Sequence, residues 1–191
     1  MDFNVEIIKY PTEEDWMFCK TCTLNTVGKT STKLPTEEWK NKLILSEHSP
    51  NRTLWFGIKM TIPYYVSVHF SRHFNGATHF VQTQRNDRQE KYDRTKAPQD
   101  AMVSHIMYVN AQELMYISRR RLCTQADPFT RAVMAEVVRI VEEQCPEFIG
   151  AFEPMCSYRG GRCTEFNPCG INKQYAEKYY KQITQHESDG G

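Results

Sequence analysis

The sequence has no excess of charge of either sign. Among its 191 residues, Lys and Arg together number 24 and Asp and Glu number 23, which gives a formal net charge of +1. A chain that binds nucleic acid through its overall charge needs a clear excess of basic residues. We therefore do not expect nucleic acid as the main partner, whereas a local basic pocket is compatible with this balance.

Long apolar runs are also missing. No segment reaches the ~20 consecutive apolar residues of a membrane-spanning helix. The first fifteen residues contain five acidic side chains and no apolar core, so we expect no signal peptide and no membrane partner. Seven cysteines are an odd number in a chain too large to need disulfide cross-links, which favours a reducing compartment. These features predict a cytoplasmic protein.

Aliphatic residues are few, and the mean hydropathy is −0.63. The 3 Trp, 10 Tyr and 10 Phe residues compensate, because each aromatic side chain buries a large area and can anchor a core. The sequence shows no internal repeat and no low-complexity block. We predict one domain over residues 1–184, followed by a disordered tail over residues 185–191.

Apolar patterning predicts strands early in the chain and helices late. The predicted strands cover residues 53–60, 64–71 and 79–84, with turns at Pro63 and at Asn75-Gly76. The predicted helices cover residues 36–46, about 100–121, 128–145 and 172–184. This order predicts an α+β domain in which helices pack on an antiparallel sheet.

Polar side chains are densest between residues 69 and 94. The segment contains His69, Arg72, His73, His79, Gln82, Thr83, Gln84, Arg85, Arg88 and Arg94. Planar guanidinium groups suit phosphate oxygens and the edges of nucleotide bases, so the segment could form a mononucleotide pocket. The alternative interpretation is a solvated edge with surface ion pairs.

Three segments together resemble the flavin-dependent thymidylate synthases. They are YYVSVHFSRHFNGATHFVQTQR, RTKAP and NAQELMYISRRRLCTQADPFTR. The first resembles the family pattern R-H-R-x-x-S-x-N-E-x-S-x-R, and the other two resemble its Arg-x-x-x-Pro segment and its N-A-R helix pair. The resemblance covers roughly residues 54–170. It implies a homotetramer that converts dUMP to dTMP with methylenetetrahydrofolate, reduced FAD as hydride donor and NADPH as reductant.

The resemblance and the polar cluster together assign candidate site residues. The cofactor-binding candidates are Arg72, His73, Phe74 and Asn110. The substrate-binding candidates are His69, Arg72, Thr83, Gln84, Arg85, Arg94 and Arg121. Arg121, at the uracil edge, and Thr83 are the candidate catalytic residues. An arginine there could polarise the pyrimidine carbonyl as negative charge develops.

The sequence departs from the family pattern mainly on the flavin side. Phe74 takes the place of the third residue of R-H-R, Val81 that of the Glu, and Tyr116 that of a flavin-side polar residue. Two alternatives follow: the same scaffold could make another C5-modified pyrimidine nucleotide, such as a hydroxymethyl product, or the chain could be a non-catalytic nucleotide-binding module that has lost FAD. A nucleic-acid-binding protein using residues 85–96 is a third interpretation.

The cysteines near the end of the sequence suggest a metal site. Cys156, Cys163 and Cys169 could supply three thiolates to a structural Zn²⁺, and a fourth ligand would come from elsewhere. The alternative is that these cysteines are free, buried thiols. Cys19 and Cys22 have metal-like spacing too, but we expect them to be packing residues.

Overall fold

The computed structural model describes residues 2–83 and 93–170. Within these ranges, four strands form an antiparallel sheet in the order β1-β2-β4-β3. The strands are β1 (Asn4–Lys9), β2 (Trp55–Pro63), β3 (Ala77–Val81) and β4 (Met102–Asn110). The helices are α1 (Glu13–Asn25), α2 (Glu37–Leu45), α3 (Tyr64–Ser71), α4 (Ala111–Arg121), α5 (Pro128–Gln144) and α6 (Met155–Tyr158). The predicted α+β fold class, with an antiparallel sheet and packed helices, is confirmed.

One face of the sheet forms the core. Residues 56, 58, 60 and 62 of β2 are fully buried on that face, and they pair with the buried inward positions 103–109 of β4. Helices α3, α4 and α5 pack against the sheet. The other face presents side chains that are partly or fully exposed, among them Trp55, Phe80, Ile106 and Tyr108. Trp55 and Tyr108 stack there, with ring centroids 4.8 Å apart.

Several predicted elements are confirmed. Helix α2 begins after Thr36, whose hydroxyl accepts a hydrogen bond from the Trp39 amide, as expected of an N-cap. Asp127 caps α5 in the same way, and Pro128 takes its first position. The predicted strands at 53–60 and 79–84 correspond to β2 and β3. The predicted helix at 172–184 and the tail at 185–191 lie outside the described residues.

The predicted strand over residues 64–71 is wrong, because this segment is helix α3. Its buried residues, Val66, Ser67 and Phe70, have helical spacing rather than strict alternation. The expected turn at Pro63 is also absent, since β2 runs to Pro63 and Tyr64 begins the helix directly. The alternation of apolar and polar residues in this segment was therefore misleading.

The predicted helix over residues 100–121 is wrong in its first half. Residues 102–110 form β4, in which Val103, His105, Met107 and Val109 are buried at every second position. Helix α4 begins only at Ala111. The sequence analysis also missed β1 and α1. No helix within the described ranges combines the length and the apolar character that crossing a bilayer requires.

Candidate functional site

A cavity of about 380 Å³ lies between the segment that follows α3 and the exposed side of α4. Its walls are formed by Arg72, His73, Phe74, Asn75, Glu113, Tyr116, Arg120, Arg121, Cys123, Gln125, Ala126 and Glu165. The volume is in the usual range for small-molecule sites. Most lining groups are polar or charged, so the cavity suits a polar ligand.

The connection between α3 and β3 is fixed against the start of α4. Gly76 has a φ of +129°, a backbone conformation that glycine tolerates and other residues rarely adopt. A β-carbon at this position would come within 2.5 Å of Nδ2 of Asn110. The backbone amide of Asn110 donates a hydrogen bond to the Gly76 carbonyl at 2.9 Å. These contacts hold residues 72–75 over α4.

A buried His73 and a half-buried Arg121 form the centre of the site. Nε of Arg121 donates to Nε2 of His73 at 3.1 Å, and Nη2 of Arg121 donates to the His69 carbonyl at 2.6 Å. Burial, with Arg121 as the next cause, lowers the pKa of His73 from 6.5 to about 4. The imidazole is therefore neutral at pH 7. Since its Nε2 accepts a hydrogen bond, its proton is assigned to Nδ1.

Positive charges outnumber negative charges on the cavity wall by three to two. Arg72, Arg120 and Arg121 line it together with two carboxylates, Glu113 and Glu165. Burial and the neighbouring Arg120 lower the pKa of Arg121, but a guanidinium group stays protonated in proteins. Nη1 of Arg120 lies 3.9 Å from Oε1 of Glu165. The cavity thus has the character of an anion-binding site, which is suitable for a phosphate.

Two aromatic side chains are exposed at the cavity. Phe74 is 73% exposed and Tyr116 is 39% exposed. Both rings are accessible from the cavity, so a planar heterocycle can stack on them. The site therefore combines guanidinium groups with aromatic surfaces.

A second cavity of about 470 Å³ adjoins the first. The two share Asn75, Glu113 and Tyr116 as walls, and the second is completed by Glu47, Arg52, Asn110, Gln112 and Arg119. Arg119 donates two hydrogen bonds to Glu47 and lies 3.5 Å from the Tyr158 ring centroid, so its guanidinium group is held by the protein. Two adjoining cavities allow two ligands to meet at the shared wall.

Asn110 has a structural task at this second cavity. Its Oδ1 accepts a hydrogen bond from the Glu113 amide at 2.9 Å and caps α4, while its Nδ2 lies beside Gly76. The side chain predicted to border a flavin is thus already engaged in holding α4 and the α3–β3 connection.

The structure brings part of the predicted site together. Arg72, His73, Phe74 and Arg121 line the first cavity, and Asn110 lines the second. His69 contributes its backbone carbonyl, because its Nδ1 is hydrogen-bonded to the Thr130 hydroxyl at 2.7 Å. Thr83 follows β3 at an exposed position and does not line the cavity. Gln84, Arg85 and the side chain of Arg94 lie outside the described part of the chain.

The face of α4 that lines the first cavity was not predicted from the sequence. Glu113, Tyr116 and Arg120 are spaced by three and four residues, so they share one side of the helix and all line the first cavity. Their spacing would have indicated this face once α4 was known to begin at Ala111. The prediction of one helix from residue 100 placed the start too early for the Asn110 cap to be recognised.

The cysteines do not form a nucleophilic or metal centre among the described residues. Cys123 lines the cavity, but burial raises the pKa of its thiol and keeps it protonated. Across residues 2–83 and 93–170, no three His, Cys, Asp or Glu side chains are placed to bind one metal ion. The described residues therefore do not assemble the zinc site predicted from Cys156, Cys163 and Cys169. Cys19 is buried in the core, as expected of a packing residue.

Comparisons with known proteins support the fold rather than a family. No family model matches the sequence, and no curated protein matches it in sequence. Among solved structures, the chain is similar to a UMP/dUMP methylase, PolB from Streptomyces cacaoi, determined with bound 5-Br dUMP. The TM-score is 0.61 at 13% sequence identity, and the match covers 78% of this chain and 94% of that chain. This likeness shows that the two chains share a fold.

Proposed function

We propose that the protein transfers a one-carbon unit to C5 of dUMP or a closely similar pyrimidine nucleoside monophosphate. The observation that carries the proposal is the hydrogen-bonded pair of Arg121 and the buried His73, in a cavity lined by three arginines. The shared fold with a UMP/dUMP methylase determined with 5-Br dUMP supports it. A nucleoside monophosphate has a nearly dianionic phosphate and a planar base, which match the guanidinium groups and aromatic faces of this site.

The three arginines have two roles towards the nucleotide in this proposal. Arg72 and Arg120 bind the phosphate. His73 and the His69 carbonyl already orient Arg121 by accepting hydrogen bonds from its Nε and Nη2. Among the contacts of the described residues, Nη1 has no such bond and can meet a ligand. A guanidinium group in this position stabilises negative charge that develops on the pyrimidine carbonyl. Because Arg121 is held before the ligand binds, little reorganisation is needed during the reaction.

The residues at the two cavities fit a flavin. Phe74 and Tyr116 offer exposed rings to a planar heterocycle, and the adjoining cavity adds about 470 Å³ beside the nucleotide site. We include FAD in the proposal, with Arg72, His73, Phe74 and Asn75 as the residues that would hold it. When bound and reduced, FAD supplies the hydride that converts the transferred one-carbon unit to a methyl group. Methylenetetrahydrofolate as one-carbon donor and NADPH as reductant complete this scheme.

A second candidate is a nucleotide-binding module without flavin. The observation that favours it is the Asn110 side chain, which caps α4 and packs on Gly76 instead of being available to a cofactor. In this case the arginines bind a nucleotide and no turnover follows. The same scaffold without a hydride donor would also be compatible with a hydroxymethyl product.

The proposal includes a homo-oligomer, with a tetramer as the expected form. The face of the sheet opposite the core carries an exposed Phe80 and the partly exposed side chains of Trp55, Ile106 and Tyr108, which a second subunit could cover. Thr83, the other candidate catalytic residue, is separated from Ala77 by about 20 Å of extended chain. A neighbouring subunit could bring Thr83 to a cavity that its own chain does not place it in.

The experiment that tests the proposal measures cofactor binding, nucleotide binding and product formation on one preparation. We expect flavin absorption bands that persist after excess FAD is removed and that shift when dUMP is added, and dTMP formation when methylenetetrahydrofolate and NADPH are supplied. Purine monophosphates such as dAMP are the nucleotide controls. Retained dUMP binding without flavin bands or product would favour the binding module. Equal binding of all monophosphates would contradict the proposed substrate.

A further inference from the structure

We infer that Glu113 is the group that accepts the C5 proton of the pyrimidine nucleotide. This inference rests on the proposed function. For a one-carbon unit to replace hydrogen at C5, the C5–H bond must break after the new carbon–carbon bond has formed. In this step the proton goes to a carboxylate oxygen of Glu113, and the electron pair of the C5–H bond stays in the ring.

The position of Glu113 is the first observation that supports this role. Its side chain lines both cavities, so it lies at the shared wall where a nucleotide and a second reactant would meet. Glu113 is only 8% exposed. A base at such a junction can reach a proton on the nucleotide while being shielded from bulk water.

The second observation is that the Glu113 side chain does not make the capping hydrogen bond that is usual at its position in a helix. Asn110-Ala111-Gln112-Glu113 has the spacing of a capping box, in which the glutamate side chain accepts a hydrogen bond from the cap residue's amide. Here the backbone amide of Asn110 instead donates to the Gly76 carbonyl at 2.9 Å. Only half of the box is made, by Oδ1 of Asn110 and the Glu113 amide. The Glu113 carboxylate is therefore not used to hold the helix.

The third observation is that Glu113 has no cationic partner of its own. Within the described ranges its carboxylate makes no ion pair with Lys or Arg, and its Oε1 lies 3.8 Å from Nδ1 of His73, too far for a hydrogen bond. His73 is neutral, so this contact is not a salt bridge at pH 7. Burial also raises the pKa of Glu113. A carboxylate in an anion-binding cavity weakens phosphate binding, so its presence calls for a chemical role.

His73 acts as a positioning residue for Glu113. The hydrogen bond from Arg121 to Nε2 fixes the tautomer, so the Nδ1 proton is directed to the side on which Glu113 lies. An N–H dipole at 3.8 Å stabilises the carboxylate without neutralising it. Arg121, His73 and Glu113 thus lie in sequence along the cavity wall, and the carboxylate keeps its basicity because no cation among the described residues neutralises it.

The test is the Glu113→Gln variant, which keeps the size of the side chain and removes the base. The measured quantity is the release of tritium to water from dUMP tritiated at C5, alongside dUMP affinity and dTMP formation. We expect tritium release to fall on the order of 100-fold or more, the usual contribution of a general base. Affinity for dUMP should be unchanged or higher, because a negative group is removed from the cavity.

Two further variants make the result interpretable. Glu136→Gln, on the surface of α5, is the matched control and should release tritium at the wild-type rate. Glu113→Asp keeps a carboxylate one methylene further from the ligand, and we expect an intermediate rate. Thermal unfolding of each variant verifies that it is folded.

The outcomes separate this inference from the proposed function. Wild-type and Glu113→Gln proteins that release tritium at similar rates would overturn the role of Glu113 and leave the proposed function in place. A Glu113→Gln variant that loses dUMP affinity but keeps its rate at saturation would show that Glu113 binds the substrate instead, which also overturns the inference. A wild-type protein that binds dUMP and releases no tritium would overturn both.

Discussion

Arg121 donates a hydrogen bond from Nε to Nε2 of His73, at 3.1 Å, in the wall of a cavity that three arginines line. A cation that donates to an imidazole opposes protonation of that imidazole. The pair therefore links the charge of the nucleotide site to the protonation state of its histidine, and this link can be measured.

Replacing Arg121 with lysine should affect catalysis and His73 together. Lysine keeps the charge but cannot hold His73 and the His69 carbonyl in the fork geometry of a guanidinium group. We expect kcat/KM for dUMP to fall by about 100-fold or more. In the Arg121→Gln variant the positive charge is gone, so the pKa of His73 should rise above about 4. NMR titration of the histidine ring measures this shift.

The surface residue Arg139 provides the control for Arg121. It is exposed on α5, where it pairs with Glu136 and Glu143. Arg139→Lys should change neither the kinetics nor the His73 titration. An unchanged His73 pKa in Arg121→Gln would contradict the contact between the two side chains.

Gly76→Ala should destabilise the protein and damage the site. The alanine backbone would have to adopt a φ of +129°, and its β-carbon would lie 2.5 Å from Nδ2 of Asn110. We expect a loss of about 2 kcal/mol or more in the free energy of unfolding, which urea denaturation can measure. Weaker dUMP binding should accompany it, since the Gly76–Asn110 contact holds residues 72–75 over α4.

Gly28→Ala is the matched control for backbone strain. Gly28 also has a positive φ, +66°, but nothing lies within 4 Å of a β-carbon built there. The expected cost is about 1–2 kcal/mol of conformational strain, with no change in nucleotide binding. Equal effects of both substitutions on dUMP affinity would argue against a specific role for the Gly76–Asn110 contact.

Acid should destabilise the fold through buried histidines. His105 is fully buried in the core, where its Nε2 is hydrogen-bonded to Nδ1 of His79 at 2.9 Å, and burial lowers its pKa from 6.5 to about 4. Between these values the unfolded chain binds the proton and the folded chain does not. Stability is therefore highest above pH 6.5 and falls as the pH decreases towards 4, by about 3 kcal/mol for this residue.

The variant His105→Gln isolates this contribution. It keeps a donor but does not titrate, so the slope of unfolding free energy against pH between 6.5 and 4 should become shallower. The raised pKa of Glu113 acts in the opposite direction, because its protonation is favoured in the folded state. Because both proteins contain Glu113, its contribution to the pH dependence cancels when the variant is compared with the wild type. Parallel curves for the two proteins would contradict the burial effect.

The fold class was predictable from the sequence, but α3, β4, β1 and α1 were not. Capping signals at Thr36 and Asp127 depend on adjacent residues, so α2 and α5 were found correctly. The segment 64–71 alternates like a strand, yet it folds as α3 because its buried residues must meet the sheet that β2 and β4 build. Pairing of β2 with residues 102–110 is a long-range interaction that overrides the helical pattern expected there.

The candidate site was predictable only where a known motif covers it. Arg72, His73 and Arg121 were found because they match motif positions, and the structure places them in one cavity. Glu113 was missed, because the Asn110 backbone amide that its carboxylate would normally bind in a capping box donates to the Gly76 carbonyl instead. This hydrogen bond joins Gly76 and Asn110, which are more than thirty residues apart in the sequence. The local spacing of residues therefore cannot predict it.

Activity should depend on Thr83 and Arg121 from different subunits. Thr83 lies beyond β3 and does not line the cavity of its own chain, whereas Arg121 does. We expect Thr83→Ala and Arg121→Gln each to be strongly impaired in dTMP formation as pure oligomers. Mixing the two after dissociation and reassembly should restore activity, because some sites then receive Thr83 from one chain and Arg121 from another. At equal amounts a site joining two chains has a one-in-four chance of being intact, so recovery to about a quarter of the wild-type rate is expected.

Re-mixing Arg121→Gln with Gly76→Ala is the control, since both changes lie at the same cavity and no intact site can form. Absence of recovery in an assembled Thr83→Ala and Arg121→Gln mixture would show that no site joins these residues across subunits.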